Sequence, residues 1–242
     1  MTGELTQDGF LGGRVQAWQP KVGYRAATDP VFLAAACPVK AGEHVLELGC
    51  GAGVAALCLA ARVRCRVTGV ERQAFYADLA RRNGVDVVEA DLTALPAQLR
   101  QRSFDHVIAN PPYLAAGAGT SAEDAGREGA FREETPLADW CAVARARLKP
   151  GGWLTMIHLA ERLPDVLGGL DGFGSIAVLP LAPREGRAAG RVVVRARKGG
   201  RGAFRLLAPV LIHEGAAHER DGDDYSATAR AVLRDGAALT FD

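Results

Sequence analysis

Long apolar runs are missing from this 242-residue chain. Every hydrophobic stretch is soon broken by charge or glycine, so no segment is long enough to span a bilayer. The first ten residues carry Glu4 and Asp8 and no apolar h-region, which reads as the absence of a signal peptide. Cysteine is scarce and odd in number. Cys37, Cys50, Cys58, Cys65 and Cys141 form no C-x-x-C pair, which argues against a disulfide framework or a zinc cluster and for a reducing cytoplasm. His44, His106, His158, His213 and His218 show no metal-ligand spacing; they read as structural, and no metal is expected. An excess of one charge is missing too: the net charge of +1 does not announce a nucleic-acid binder.

What is present is the balance of an ordinary globular protein, 48% hydrophobic and 24% charged, in a chain long enough to bury a substantial core. The charge is unevenly spread. Arg184, Arg187, Arg191, Arg195, Arg197, Lys198, Arg201 and Arg205 face only Glu185 over the same stretch, whereas the tail turns acidic at Glu214, Glu219, Asp221, Asp223, Asp224, Asp235 and Asp242. The basic stretch reads either as arginines flanking a solvated sheet edge or as a local phosphate-contacting patch.

Hydrophobic patterning alternates strands with helices. Strands are expected at 44–48, 66–70, 86–89, 104–109 and 153–158, and helices at 54–63, 73–83, 135–148 and 165–170. Thr135 caps the third helix with Pro136 at its first position, and Lys149-Pro150-Gly151-Gly152 stops it. The strand-like runs 175–181, 191–196 and 205–212 have no good helix between them and fit a hairpin closing the sheet edge antiparallel. The expected fold is α/β: a mostly parallel seven-stranded sheet with an antiparallel edge hairpin and helices on both faces. The expected division is a main domain over 1–212, whose first 40 residues form an N-terminal cap, followed by an acidic, docked tail over 213–242. The stretch 115–134 is a long Gly/Ala/acid-rich loop, of a length that is usually functional or disordered.

The first strand runs into Gly49-Cys50-Gly51-Ala52-Gly53 and then a helix. Glycines there permit a tight turn and close approach of a ligand. Dinucleotide sites favour G-x-G-x-x-G, whereas this loop is G-x-G-x-G with Glu47 two residues ahead of it. A pyrophosphate would be repelled by that carboxylate and the ammonium of a methionine moiety attracted, which favours S-adenosyl-L-methionine over NAD. Glu71 ends the second strand, where a carboxylate can accept from both ribose hydroxyls, and Asp91-Leu92 follows the third, where one can accept from an adenine amino group.

The fourth strand ends in Asn110-Pro111-Pro112-Tyr113. Two prolines pin the backbone and remove two N–H donors, leaving carbonyls free to accept. The Asn110 side-chain oxygen and the Pro111 carbonyl can take both hydrogens of one amino group, aiming its lone pair at a methyl donor. Tyr113 can stack on a planar group, worth about 1–3 kcal/mol if that group is a base. The glycine loop together with this tetrapeptide resembles the amino-group methyltransferases that act on adenine N6, cytosine N4, guanine N2 or glutamine N5, which implies a Rossmann-like class I methyltransferase fold.

Ahead of the first strand, residues 19–35 read QPKVGYRAATDPVFLAA; Thr28 or Asp29 caps a helix there, with Pro30 at its first position. This segment resembles its counterpart in the bacterial tRNA (adenine-N6)-methyltransferases that modify the adenine beside the anticodon of a valine tRNA. That likeness runs from about Phe10 to Ile212 and includes residues 157–163 and 194–198. It implies that Tyr24, Arg25, Thr28 and Asp29 line the cofactor site with Glu47, Gly49, Cys50, Gly51, Gly53, Glu71, Asp91, Leu92 and Asn110. It also implies a tRNA substrate; by position, Arg14, Lys21 and Arg25 near the site and Arg127 and Arg132 in the long loop are the candidate RNA contacts, and a monomer or homodimer is expected. A protein glutamine-N5 or ribosomal RNA guanine-N2 methyltransferase is the alternative, and a binding protein that has lost activity is disfavoured by the intact loops.

Overall fold

The computed structural model describes residues 4–115, 132–133, 135–215 and 224–241. The chain opens with an antiparallel pair, β1 (Leu5–Phe10) and β2 (Val15–Pro20), closed by a 3-10 turn over Leu11–Gly13. Sequence patterning did not reveal this hairpin, because Thr6, Gln7 and Asp8 interrupt any run of apolar residues. Helix α1 (Asp29–Ala36) follows, buried from Pro30 to Ala36; its run of apolar side chains suits a helix enclosed on every side.

The α/β body is then β3 (His44–Leu48), α2 (Val54–Arg62), β4 (Arg66–Glu71), α3 (Ala74–Arg82), β5 (Asp86–Glu89), α4 (Ala97–Arg100) and β6 (Phe104–Ala109). After it come the short parallel pair β7 (Leu114–Ala115) and β8 (Arg132–Glu133), α5 (Leu137–Arg147), β9 (Leu148–Leu159) and α6 (Leu163–Gly168). The chain finishes with β10 (Phe173–Ala182), β11 (Arg191–Lys198), β12 (Arg205–Leu206), β13 (Val210–Leu211) and α7 (Ala227–Asp235).

The main sheet is ordered β12-β10-β11-β9-β6-β3-β4-β5, with β13 also on β10. Strands β3, β4, β5, β6 and β9 pair in parallel, and β11 runs antiparallel to both its neighbours. The chain steps outward from β3 to β5 on one side and from β6 to β9 on the other. The carboxyl ends of β3 and β6 therefore meet at the point where the strand order reverses, where open α/β sheets bind their ligands.

Three expectations need correcting. The run 205–212 is two two-residue strands parallel to β10, not one antiparallel strand, because Pro209 has no N–H to continue a ladder. The fifth strand starts at Leu148 rather than at 153, so Lys149–Gly152, which ends α5 as expected, lies inside β9, and the strand passes it through a register shift opposite Phe104 and His106. Pro136 takes the N-cap position of α5, so Thr135 sits outside the helix.

Apolar side chains fill both faces of the sheet. One cluster joins α1, α2 and α7 through residues such as Phe32, Leu59 and Val232, and the other joins α5 and α6 to β6 and β9 through Trp140, Val166 and Leu154. Beyond α7, Leu239 and Phe241 are buried in the first cluster, and the Leu239 N–H donates to Ala35 O at 2.8 Å. No described helix is long and apolar enough to cross a membrane.

Candidate active site at the carboxyl edge of the sheet

Gly49, Gly51 and Gly53 all have positive φ, at 64°, 53° and 83°. They do not share one role. A Cβ on Gly49 would lie 2.6 Å from the Trp140 ring, and one on Gly53 2.6 Å from Val85 Cγ2, so both glycines serve protein packing. At Gly51 the nearest atom would be the Tyr24 ring at 3.7 Å, leaving that glycine beside open space. The space is a solvent-open cleft lined by Tyr24, Glu47, Gly49, Cys50, Gly51, Glu71, Asp91, Leu92 and residues 110–113.

Each acid has a geometric anchor. Glu47 Oε2 accepts from the Ala56 N–H in the first turn of α2 at 3.0 Å. Burial pushes its carboxyl up to about 8, with the Glu71 charge adding to the effect and the Ala56 N–H opposing it. Glu71 accepts from the Gly51 N–H through Oε2 and from the Gln73 N–H through Oε1, both at 2.9 Å, which ties the glycine loop to the start of α3. Asp91 Oδ1 accepts from the Thr93 N–H at 2.8 Å and the Thr93 hydroxyl at 2.7 Å, and these two bonds lower its carboxyl. Asp91 is therefore a helix cap on the rim of the cleft.

The tetrapeptide after β6 sits opposite. Asn110 Oδ1 lies 2.9 Å from the Tyr113 hydroxyl, and its Nδ2 donates to the Tyr24 hydroxyl at 3.4 Å. Tyr24 is clamped in turn: its N–H donates to the Tyr76 hydroxyl at 2.9 Å, and that hydroxyl donates back to Tyr24 O at 3.1 Å. The Tyr113 hydroxyl also contacts Asp29, whose carboxylate pairs with Arg191 Nε at 2.9 Å. The Arg191 guanidinium covers the Tyr113 ring, 4.7 Å from its centroid.

His158 meets the edge of the same ring at 5.5 Å between centroids. It is fully buried; Nδ1 accepts from the Leu159 N–H at 2.9 Å, and Nε2 lies against the Pro112 carbonyl without a well-formed hydrogen bond. Burial holds the imidazole down at about 4, so it is neutral. Local pattern does not mark His158 or Arg191 as site residues, because they reach the site only through the pairing of β9 with β11. Trp140, Tyr76 and Gln73 also line the cleft; only Gln73, next to Glu71, had a local cue.

Four expected cofactor residues stand apart from the cleft wall. Arg25 pairs with Asp8 at 2.6 Å, because the β1–β2 hairpin brings that acid beside it. Thr28 makes no side-chain cap bond; its carbonyl accepts from the Val31 and Phe32 N–H groups instead. Asp29 is the first helical residue and Pro30 the second, and the Asp29 carboxylate turns to Tyr113 and Arg191. Gly53 serves packing, as above.

Most of the basic stretch is engaged within the protein. Arg184 pairs with Asp224, Arg191 with Asp29, Arg195 donates to Ala36 O at 2.6 Å, Arg197 to Gly151 O at 2.9 Å and Lys198 to Leu148 O at 2.7 Å. Arg187, Arg201 and Arg205 remain exposed. Arg14 donates to Leu11 O at 3.2 Å and Lys21 pairs with Glu4 at 2.7 Å, while Arg127 and the Arg132 side chain lie outside the described residues.

A family model described as a methyltransferase domain matches residues 45–128. A tRNA1(Val) (adenine(37)-N6)-methyltransferase from Porphyromonas gingivalis is 34% identical over 67% of this chain and 69% of its own length. The chain belongs to this methyltransferase family. A Haemophilus influenzae protein of the same name is 29% identical over 55% of this chain, a match that spans 60% of its own length. Among solved structures, a predicted O-methyltransferase from Agrobacterium tumefaciens superposes with a TM-score of 0.71 at 28% identity, covering 87% of this chain and 98% of that one. An S-adenosylmethionine-dependent O-methyltransferase from Thermotoga maritima shares the fold at a TM-score of 0.51 and 18% identity, over 76% of this chain and 69% of that one.

The fold is thus that of the class I methyltransferases, and the family's cofactor is S-adenosyl-L-methionine. The cleft fits it in kind: a buried carboxyl at Glu47, a second acid at the end of β4, a rim acid beside buried Leu92, and no Cβ at Gly51. Among the described residues no group of three His, Cys, Asp or Glu is placed to hold a metal ion.

Proposed function

We propose that the protein methylates the exocyclic N6 amino group of an adenine in tRNA. The observation that carries this reading is that Asn110 and the two prolines line the same cleft as Glu47 and Glu71. When bound, S-adenosyl-L-methionine supplies an electrophilic methyl on a sulfonium. Glu47 would hold the ammonium of its methionine part, Glu71 the ribose, and Asp91 with Leu92 the adenine edge.

The protein's part is to align and to hold. Asn110 Oδ1 and the Pro111 carbonyl accept the two amino hydrogens, which turns the nitrogen lone pair out of conjugation and toward the methyl. Arg191 lies over the Tyr113 ring, so the opposite face of that ring is where a base stacks. No strong base is required, since the proton leaves after the nitrogen has become cationic. Rate enhancement comes from alignment and from oriented dipoles around the transferring group.

The family relatives bear the tRNA name, which supports RNA as the substrate. Arg187, exposed in the turn between β10 and β11 on the Arg191 side of the sheet, is the first candidate for a phosphate contact. The test is Asn110→Ala. Methyl transfer to tRNA falls by at least about 100-fold while cofactor binding by calorimetry stays within about threefold of wild type. A wild-type rate in that variant overturns the assigned mechanism.

A further inference from the structure

We infer that Asp29, held by Arg191, is a positioning residue for Asn110: it accepts the hydrogen bond of the Tyr113 hydroxyl and so leaves Asn110 Oδ1 free to accept from the substrate's amino group. The inference rests on the amino-acceptor role proposed for Asn110.

The Tyr113 hydroxyl has one proton and two acceptors in reach, Asp29 Oδ2 and Asn110 Oδ1, the latter at 2.9 Å. The two do not compete equally. Asp29 is a carboxylate paired with Arg191 Nε at 2.9 Å, and a bond from a phenol to a carboxylate is about twice as strong as one to a neutral amide. With the proton on the Asp29 side, the Tyr113 oxygen turns a lone pair toward Asn110 Oδ1. An amide oxygen held against another acceptor lacks a donor, and an incoming amino hydrogen supplies one. Burial, with Asp29 next, pushes the Tyr113 phenol up, so that single proton stays in place throughout the working pH range.

The start of α1 does not require this use of Asp29. It is the first residue of α1, where an acid usually serves the free N–H groups of the helix start, yet those at Val31 and Phe32 donate to Thr28 O. Its side chain crosses instead to the first residue of β11, 162 positions along the chain. Three separate segments (α1, the loop after β6, and β11) are therefore tied together at the Tyr113 hydroxyl beside Asn110. The Asn110 amide is oriented from its other end by the Tyr24 hydroxyl, which accepts from Nδ2 at 3.4 Å.

The test is a double-mutant comparison on the full chain with tRNA as methyl acceptor. Asp29→Asn lowers kcat by about 10- to 100-fold with the KM for S-adenosyl-L-methionine within about twofold of wild type. The same substitution in a Tyr113→Phe background costs less than about threefold, because no hydroxyl remains to occupy Asn110. Arg191→Gln, which weakens the acceptor without touching it, repeats the pattern at smaller size and keeps the test open should Asp29→Asn fold poorly.

Proton NMR gives a readout that needs no turnover. A downfield hydroxyl resonance disappears in Tyr113→Phe and moves upfield in Asp29→Asn or Arg191→Gln. Equal loss in both backgrounds, no loss on Asp29→Asn, an inactive Tyr113→Phe, or a hydroxyl resonance unmoved by these substitutions overturns the inference. An active Asn110→Ala overturns the amino-acceptor reading instead, and the resonance still reports where the proton lies.

Discussion

Glu47 Oε2 accepts a hydrogen bond from the Ala56 N–H at 3.0 Å, so the acid at the end of β3 is tied to the first turn of α2 while it lines the ligand cleft. With its carboxyl pushed up to about 8 by burial, Glu47 is largely protonated in the empty protein at neutral pH. A cationic ammonium favours the ionised form, so binding expels a proton. Affinity for S-adenosyl-L-methionine is expected to rise with pH up to about 8, by at most about tenfold per unit, with a proton release visible as a buffer-dependent binding enthalpy. Glu47→Gln weakens binding and flattens the profile. A flat wild-type profile between about pH 6 and 8 contradicts this role for Glu47.

Glu47 and His158 also act on folding stability with opposite sign. Glu47 binds its proton more tightly folded than unfolded, so its contribution falls as pH rises from the ordinary carboxyl range to about 8. His158 is held down at about 4, so the unfolded chain binds the extra proton, and stability is lost as pH falls from the ordinary imidazole range toward 4. Denaturant titrations are expected to show Glu47→Gln more favoured relative to wild type at pH about 8 than at pH about 5. A His158→Gln variant is expected to lose the acid-side fall in stability, and an unchanged acid limb in that variant contradicts the assignment.

The glycine loop was legible as a turn, but its division of labour was not. Three glycines in five residues predict positive φ from sequence alone; only packing reveals that Trp140 and Val85 fill the space beside two of them. The parallel core, the acids at the strand ends and the 110–113 loop were readable because each depends on local pattern. Arg191, His158 and Trp140 were not, because strand pairing and helix docking bring them in from more than 25 residues away from that loop. The basic stretch misled for a related reason. Arg191, Arg195 and Arg197 share one face of β11, yet each reaches a different partner, Asp29, Ala36 O and Gly151 O, while Arg184 outside the strand pairs with Asp224 in the tail.

Packing separates Gly53 from Gly51. Gly53→Ala drives a methyl to 2.6 Å from Val85 at a φ of 83°, and is expected to destabilise the fold by about 2–4 kcal/mol. Adding Val85→Ala should return part of that loss, since it removes the clash and leaves only the backbone strain. Thermal melts of the single and double variants check it; no recovery in the double variant rules out the clash as the cause.

Arg195 and Arg187 lie in one basic stretch and are expected to behave differently. Arg195 donates to Ala36 O at 2.6 Å and to Leu239 O at 3.2 Å, and covers the Phe241 ring at 3.8 Å. Arg195→Ala should cost about 1–3 kcal/mol of stability with tRNA affinity little changed. Arg187→Ala should leave the melting temperature alone, weaken tRNA binding, and reduce the salt slope by about 1. Filter binding across a salt series distinguishes them, and an unchanged slope removes Arg187 from the RNA surface.

The most direct test of the account is mass spectrometry of nucleosides from purified valine tRNA incubated with S-adenosyl-L-methionine and either the wild-type protein or Asn110→Ala. The account predicts one N6-methyladenosine per tRNA with the wild type and none with the variant. An unmodified tRNA with the wild-type protein, or the same methylated nucleoside from Asn110→Ala, contradicts it.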